Sequence, residues 1–149
     1  MSDNNVHLHR ILKAPVAKVF RAFSDNDAYR SWIAPYGHVC TIEYREFKKG
    51  GSYMMAFKNF TTSNGESFGG EFLEIDQNKS ITYTDRFDNP NLPGEILTTV
   101  EFKEVMCGTA LWIHQTNIPE AIPAELCYLG WQECLDQLKR LVEPEITDV

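Results

Sequence analysis

Positive charge is in short supply in this chain. Lys and Arg number 14 against 21 Asp and Glu, for a formal net charge of −7. Phosphate recognition needs clustered cations that release counterions, so the balance argues against a nucleic-acid partner. It argues equally against electrostatic docking on an anionic membrane. Cysteine is sparse too: Cys40, Cys107, Cys127 and Cys134 stand apart with no C-x-x-C pair, a pattern of reduced structural thiols rather than a disulfide framework or a zinc site. No apolar run reaches the length of a membrane span. Met1-Ser2-Asp3-Asn4-Asn5 has neither a basic nor an apolar leader character, so a cytoplasmic protein is expected. A G-x-S-x-G elbow, a Walker loop and a dinucleotide fingerprint are all missing, and no cofactor is expected. Nor is a metal, because His7 and His9 share a strand face near a polar terminus without a Cys or carboxylate at ligand spacing.

What is present reads as one domain over residues 1–149, with its core at about 6–142. Val6 to Leu12 alternates as a first strand. Pro15 then opens a helix to about Phe23, whose Val16, Val19, Phe20 and Phe23 make one apolar face. Asp25 can cap a second short helix carrying Tyr29, Trp32 and Ile33 up to Pro35. Six strand-like segments follow, at Val39–Phe47, Ser52–Thr61, Glu66–Ile75, Ser80–Phe87, Glu95–Val105 and Thr109–Asn117. Gly50-Gly51, the type I′ signature Asn64-Gly65, the polar Asp76–Lys79 stretch and Cys107-Gly108 separate them. Asp88 to Gly94, with two prolines, reads as an exposed loop. Consecutive hairpins imply an antiparallel meander. From Pro123 to about Val142 the period becomes helical, with Tyr128, Trp131, Leu135, Leu138 and Val142 in one stripe that Leu126, Leu129 and Leu141 widen. Such a stripe has to be buried against the concave face of the sheet. The fold class is therefore α+β: a curved antiparallel sheet of about seven strands, two short helices and a long C-terminal helix.

Several pieces in this order resemble the START-like, or SRPBCC, superfamily, in the branch similar to the C-terminal domain of the activator of heat-shock-protein-90 ATPase. They are Ala14-Pro15-Val16 with Val19-Phe20-Arg21-Ala22-Phe23, Trp32-Ile33-Ala34-Pro35, Phe47-Lys48-Lys49-Gly50-Gly51-Ser52-Tyr53, Gly69-Gly70-Glu71-Phe72-Leu73-Glu74-Ile75 and Gly130-Trp131. The resemblance implies the helix-grip fold and a cavity between sheet and helix. It implies function only loosely, since members include ligand carriers, chaperone-activating modules linked to stress responses and a few cyclases.

The candidate site is that cavity. Alternation puts Ile81, Tyr83, Asp85 and Phe87 on one face. Expected beside them are Tyr53, Met55 and Phe57, then Phe68, Gly70 and Phe72, then Trp112 and His114, facing Tyr128, Trp131 and Leu135 of the helix. Trp32, from the second short helix, joins them as a possible stacking residue, although core filling is the plainer use of each Trp. A filled core uses the same residues, and a one-residue slip exchanges the faces of any strand. Asp85 and His114 are candidates for acid–base work, or equally a hydrogen-bonded core pair. Three functions stay open: a container for a small apolar or aromatic molecule, a regulator with a chaperone partner, and a cyclase or hydrolase. Either a monomer or a homodimer is compatible with them.

Overall fold

The computed structural model describes residues 4–148. Of the Met1–Asn5 segment, residues 1–3 lie outside the described residues. Seven strands, β1 (Val6–Leu12), β2 (His38–Arg45), β3 (Ser52–Asn59), β4 (Gly65–Asp76), β5 (Ser80–Phe87), β6 (Ile96–Val105) and β7 (Gly108–Thr116), form a single sheet in the order β1-β7-β6-β5-β4-β3-β2. Every neighbouring pair is antiparallel. The sheet curls around α3 (Ala124–Val142), and α1 (Val16–Ser24) and α2 (Asn26–Trp32) close one side. This is the helix-grip architecture. Among the described residues no helix is long and apolar enough to cross a membrane.

Local chemistry sets the element ends. Pro15 and Pro123 stand at the N-caps of α1 and α3, where a missing N–H costs nothing. The Asp25 carboxylate accepts from the Ala28 N–H at 3.0 Å and starts α2, as a short acidic side chain does at an N-cap. One turn differs from expectation. The β3–β4 connection is longer than a two-residue hairpin: the Ser63 and Asn59 N–H groups bond to the carbonyls of Asn59 and Asn64, the left-handed residue is Ser63, and Asn64-Gly65 adjoins the ladder. Asn59 accounts for this, because its side-chain oxygen accepts from the Thr61 and Thr62 N–H groups and builds a wider loop.

The core is one cluster of inward side chains from every element. On α3 the buried stripe is Trp131, Cys134, Leu135, Leu138 and Val142. Leu129 and Leu141, expected to widen it, are 51% and 42% exposed. They fall outside the arc that a curved sheet can cover on a helix about 10 Å across. Trp32 lies in this core as well, with its indole N–H donating to the Ala22 carbonyl at 2.9 Å and its ring against Phe23 and Tyr29.

Curvature depends on Gly70, where β4 comes so close to β5 that an added Cβ would overlap the Thr84 carbonyl. At Gly130 on α3 a Cβ would meet only Pro35, at an ordinary 3.8 Å. Gly70→Ala is therefore expected to lose about 2–3 kcal/mol in urea unfolding or fail to fold, whereas Gly130→Ala gains up to about 1 kcal/mol from helix propensity.

Candidate functional site

Between the first half of α3, α2 and the inner face of the sheet lies a cavity of about 250 Å³. Its helix wall is made of Leu126, Cys127, Gly130, Trp131 and Cys134, mostly small side chains. Tyr29, Ile33 and Pro35 close the α2 side, and Phe57, Phe68 and Phe87 line β3 to β5. Those three rings touch in series, at centroid distances of 4.8 and 6.1 Å. Leu126, 60% exposed, marks the rim.

Polar groups form a seam across the back of this apolar space. The Tyr53 hydroxyl donates to the Asp85 carboxylate and lies 2.7 Å from the Thr84 carbonyl. The Thr98 hydroxyl donates to the other Asp85 oxygen at 3.5 Å, and the Gln115 amide donates to Thr98 at 3.0 Å. Strand pairing produces this line, since Tyr83 faces Thr98 and Thr98 faces Gln115 across β5, β6 and β7. The Tyr83 hydroxyl lies close to that of Tyr29. Beyond Tyr29 lies the Arg45 guanidinium, 3.9 Å from the ring centroid and 3.1 Å from the Asn26 side-chain oxygen. At 8% exposure this is a buried cation held by a ring face and an amide.

Burial pushes the Asp85 carboxyl up to about 6, against the opposing pull of its Tyr53 and Thr98 hydrogen bonds. Burial first, and the Asp85 charge second, push Tyr53 upward. Burial likewise lowers Arg45. The Cys134 thiol, pushed up by burial to about 12, stays protonated and lies 2.8 Å from the Ile33 carbonyl.

Of the residues expected at the site, Phe57, Phe68, Tyr83, Asp85, Phe87 and Trp131 line the cavity. Tyr53 stands behind Asp85. Met55, Phe72, Leu135 and Trp32 are buried in the surrounding core and do not reach the space. Tyr128 is used elsewhere: its hydroxyl accepts from the His7 N–H at 3.0 Å and donates to the His7 carbonyl at 3.1 Å, pinning α3 to the edge strand. Trp112 and His114 need correcting. Thr109, Leu111, Ile113 and Gln115 are the buried alternates of β7, so Trp112 and His114 sit on the convex face. There Trp112 stacks on His9 at 4.7 Å. His114 contacts His7 at 2.8 Å and Glu101 at 3.2 Å. Asp85 and His114 are thus on opposite sides of the sheet, and the proposed pair does not exist.

Gln115 and Ile96 were missed. The tight Met106-Cys107 turn, pairing Val105 with Gly108, fixes which β7 residues share a face with Val100 and Phe102, and carrying that register along the hairpin finds Gln115. Among the described residues no group of three His, Cys, Asp or Glu side chains is placed to hold a metal. All four cysteines are free, Cys40 and Cys134 being buried.

A family model described as "Activator of Hsp90 ATPase homolog 1-like protein" matches residues 13–143. A crystal structure of a protein from Chromobacterium violaceum is 45% identical, with a TM-score of 0.94 over 97% of this chain and 100% of that one. A solution structure of a Staphylococcus epidermidis protein, 22% identical, gives 0.80 over 100% and 96%. One of an AHSA1-like protein from Aeromonas hydrophila, 19% identical, gives 0.74 over 91% and 90%. The latter two are alike in fold. No curated protein matches significantly.

The raised Asp85 carboxyl makes a signed prediction. A carboxyl whose folded value lies above its unfolded 3.8 binds its proton more tightly when folded. Its ionisation therefore costs stability, a cost absent below about pH 3.8 and complete above about pH 6. Asp85→Asn is expected to raise stability at pH 7.5 by on the order of 2–3 kcal/mol, an advantage that thermal unfolding should show shrinking steadily from pH 6 to pH 4.

Proposed function

Because this chain belongs to the Activator of Hsp90 ATPase homolog 1-like family, whose fold often holds hydrophobic ligands, we propose that it is a binding protein. It encloses one small, mostly apolar molecule between its sheet and its terminal helix and does no chemistry on it. The observation that supports this reading is the aromatic-walled cavity of about 250 Å³ in an otherwise close-packed core. An apolar space of about 150 Å³ already admits benzene, so this volume suits a molecule of one or two rings. Lining atoms without neighbours forfeit dispersion energy, which a guest restores. With His114 on the convex face, Asp85 has no imidazole partner for acid–base work. Family membership also supports a second reading, a chaperone partner, but the apolar cavity open at the Leu126 rim favours the container.

The test is a thermal-shift and calorimetric screen of one- and two-ring apolar compounds. A ligand at about 100 times its Kd adds about 2.7 kcal/mol, or roughly 5–10 °C in Tm at this chain length. Gly130→Leu, which projects a side chain from the helix wall, is expected to leave the fold intact and weaken binding at least about tenfold. An inert screen overturns the proposal, and binding that ignores Gly130→Leu moves it away from this cavity.

A further inference from the structure

We propose that the guest is a small apolar amine, bound as its ammonium ion with the charged end on Asp85 and Gln115 and the hydrocarbon end among the rings of Phe57, Phe68 and Trp131. This rests on the container reading above and adds the chemical class of the ligand.

The direction of the hydrogen bonds along the seam is what requires a donor. Gln115 gives its amide N–H to Thr98, Thr98 gives its hydroxyl to Asp85, and Tyr53 gives its hydroxyl to the other Asp85 oxygen. All these donors run toward the carboxylate, and of them only the second Gln115 N–H is left over. A carboxylate has about four acceptor positions and an amide carbonyl has two. The groups left over at the back of the cavity are therefore mainly acceptors: the remaining lone pairs of Asp85 and the carbonyl oxygen of Gln115, a residue only 7% exposed that lines the space. A guest that supplies only acceptors would leave them unpaired, and unpaired buried groups are costly.

Charge narrows the class from any donor to a cation. Among the described residues, no Lys, Arg or His pairs with Asp85 within ion-pair distance. The buried Arg45 is committed to Asn26 and the face of Tyr29. A carboxylate or phosphate guest would meet like charge, and a neutral alcohol would leave the charge unmatched. An ammonium offers three donors and a positive charge, and the surrounding ring faces add cation–π attraction. The net charge of −7 also favours the approach of a cation.

The groups that face Asp85 make its ionisation the only one that changes near pH 6. Tyr53 from β3, Tyr83 from β5 and Tyr29 from α2 are all raised and stay neutral. From α3 come Cys127 and Cys134, both raised by burial. Thr98 and Gln115 from β6 and β7 do not titrate, and Arg45 from β2 stands behind Tyr29. Amine binding should therefore weaken as Asp85 takes up its proton.

The test compares three probes on one skeleton, 2-phenylethylamine, 2-phenylethanol and 3-phenylpropionate, by calorimetry on the full chain. At pH 7.5 the amine is expected to bind at least about tenfold tighter than the alcohol, and the carboxylate weakest. Between pH 7.5 and pH 5 amine affinity should fall about tenfold while the alcohol stays level. Asp85→Asn should erase the amine's advantage over the alcohol; the pH comparison on the unaltered chain needs no variant. An alcohol or carboxylate that matches the amine at pH 7.5 overturns the proposal but leaves the container standing. So does an amine preference that survives pH 5 or Asp85→Asn. If all three probes and the wider screen fail to bind, the container falls as well.

Discussion

The contact between α3 and the concave face of the sheet governs everything else, and its two halves are built from side chains of different size. Toward the C-terminus α3 buries Leu135, Leu138 and Val142 in the same cluster as Val19, Phe20, Phe23, Phe102 and Leu111. Phe20 and Phe23 meet Phe102 edge-on at 5.3 and 5.2 Å, so that end is solid. Toward the N-terminus the cavity wall on α3 is Leu126, Cys127, Gly130, Trp131 and Cys134, three of them small. A straight helix in a trough keeps roughly constant height, so small side chains leave a gap where large ones fill it. The gap persists because α3 is fastened elsewhere. Gln137 donates to the carbonyls of Trp32 and Ala34 at 2.9 and 2.6 Å, and Tyr128 grips His7. Collapse into the space would break those bonds.

The polar seam follows from the same geometry. Tyr53, Asp85, Thr98 and Gln115 point inward because strand parity and hairpin register put them there, and burial would be prohibitive unless they satisfied one another. They do so as a directed chain, and among the described residues no side-chain nitrogen or oxygen that is wholly sealed from solvent lacks a partner. Arg45 is handled separately, beneath Tyr29 and near Phe47 and Phe72. Its bond to Asn26 ties the start of α2 to the edge strand β2. Two buried charges are thus kept apart by tyrosines, which leaves Asp85 available to the cavity.

Nearly all the architecture was legible in the sequence, because it is encoded locally. Prolines at helix starts, Asp25 at a cap and turn residues between β-rich segments act over a few positions. The bounds of β1 and β5 could be read directly. The site was legible only where parity was unambiguous. On β5, Tyr83 and Asp85 alternate with polar Thr82 and Thr84, and their face was plain. On β7, Ala110, Leu111, Trp112 and Ile113 are apolar in succession, so the period-two signal vanishes and the large Trp misleads. The stacking of His9 covers Trp112 on the convex side, a cross-strand relation that a linear reading of β7 does not contain. The cavity itself was invisible for a different reason: it is a mismatch of volumes between elements far apart in the chain, and periodicity reports faces rather than fit.

Where the seam lies explains why a hollow half is tolerable. Asp85 borders the cavity at the back, while Leu126 and the N-terminal end of α3 border it at the rim. Water can reach a carboxylate in such a place, so its ionised form survives at neutral pH at a cost the solid half of the core covers. A guest entering by the rim meets rings first and the charge last, so its polar end must lead. On the amine reading proposed above, that order selects molecules that are apolar behind and donating in front, with the leading end on a group already oriented by Tyr53 and Thr98. On the binding reading, a carboxylate fixed by two donors serves to hold the leading end of the guest.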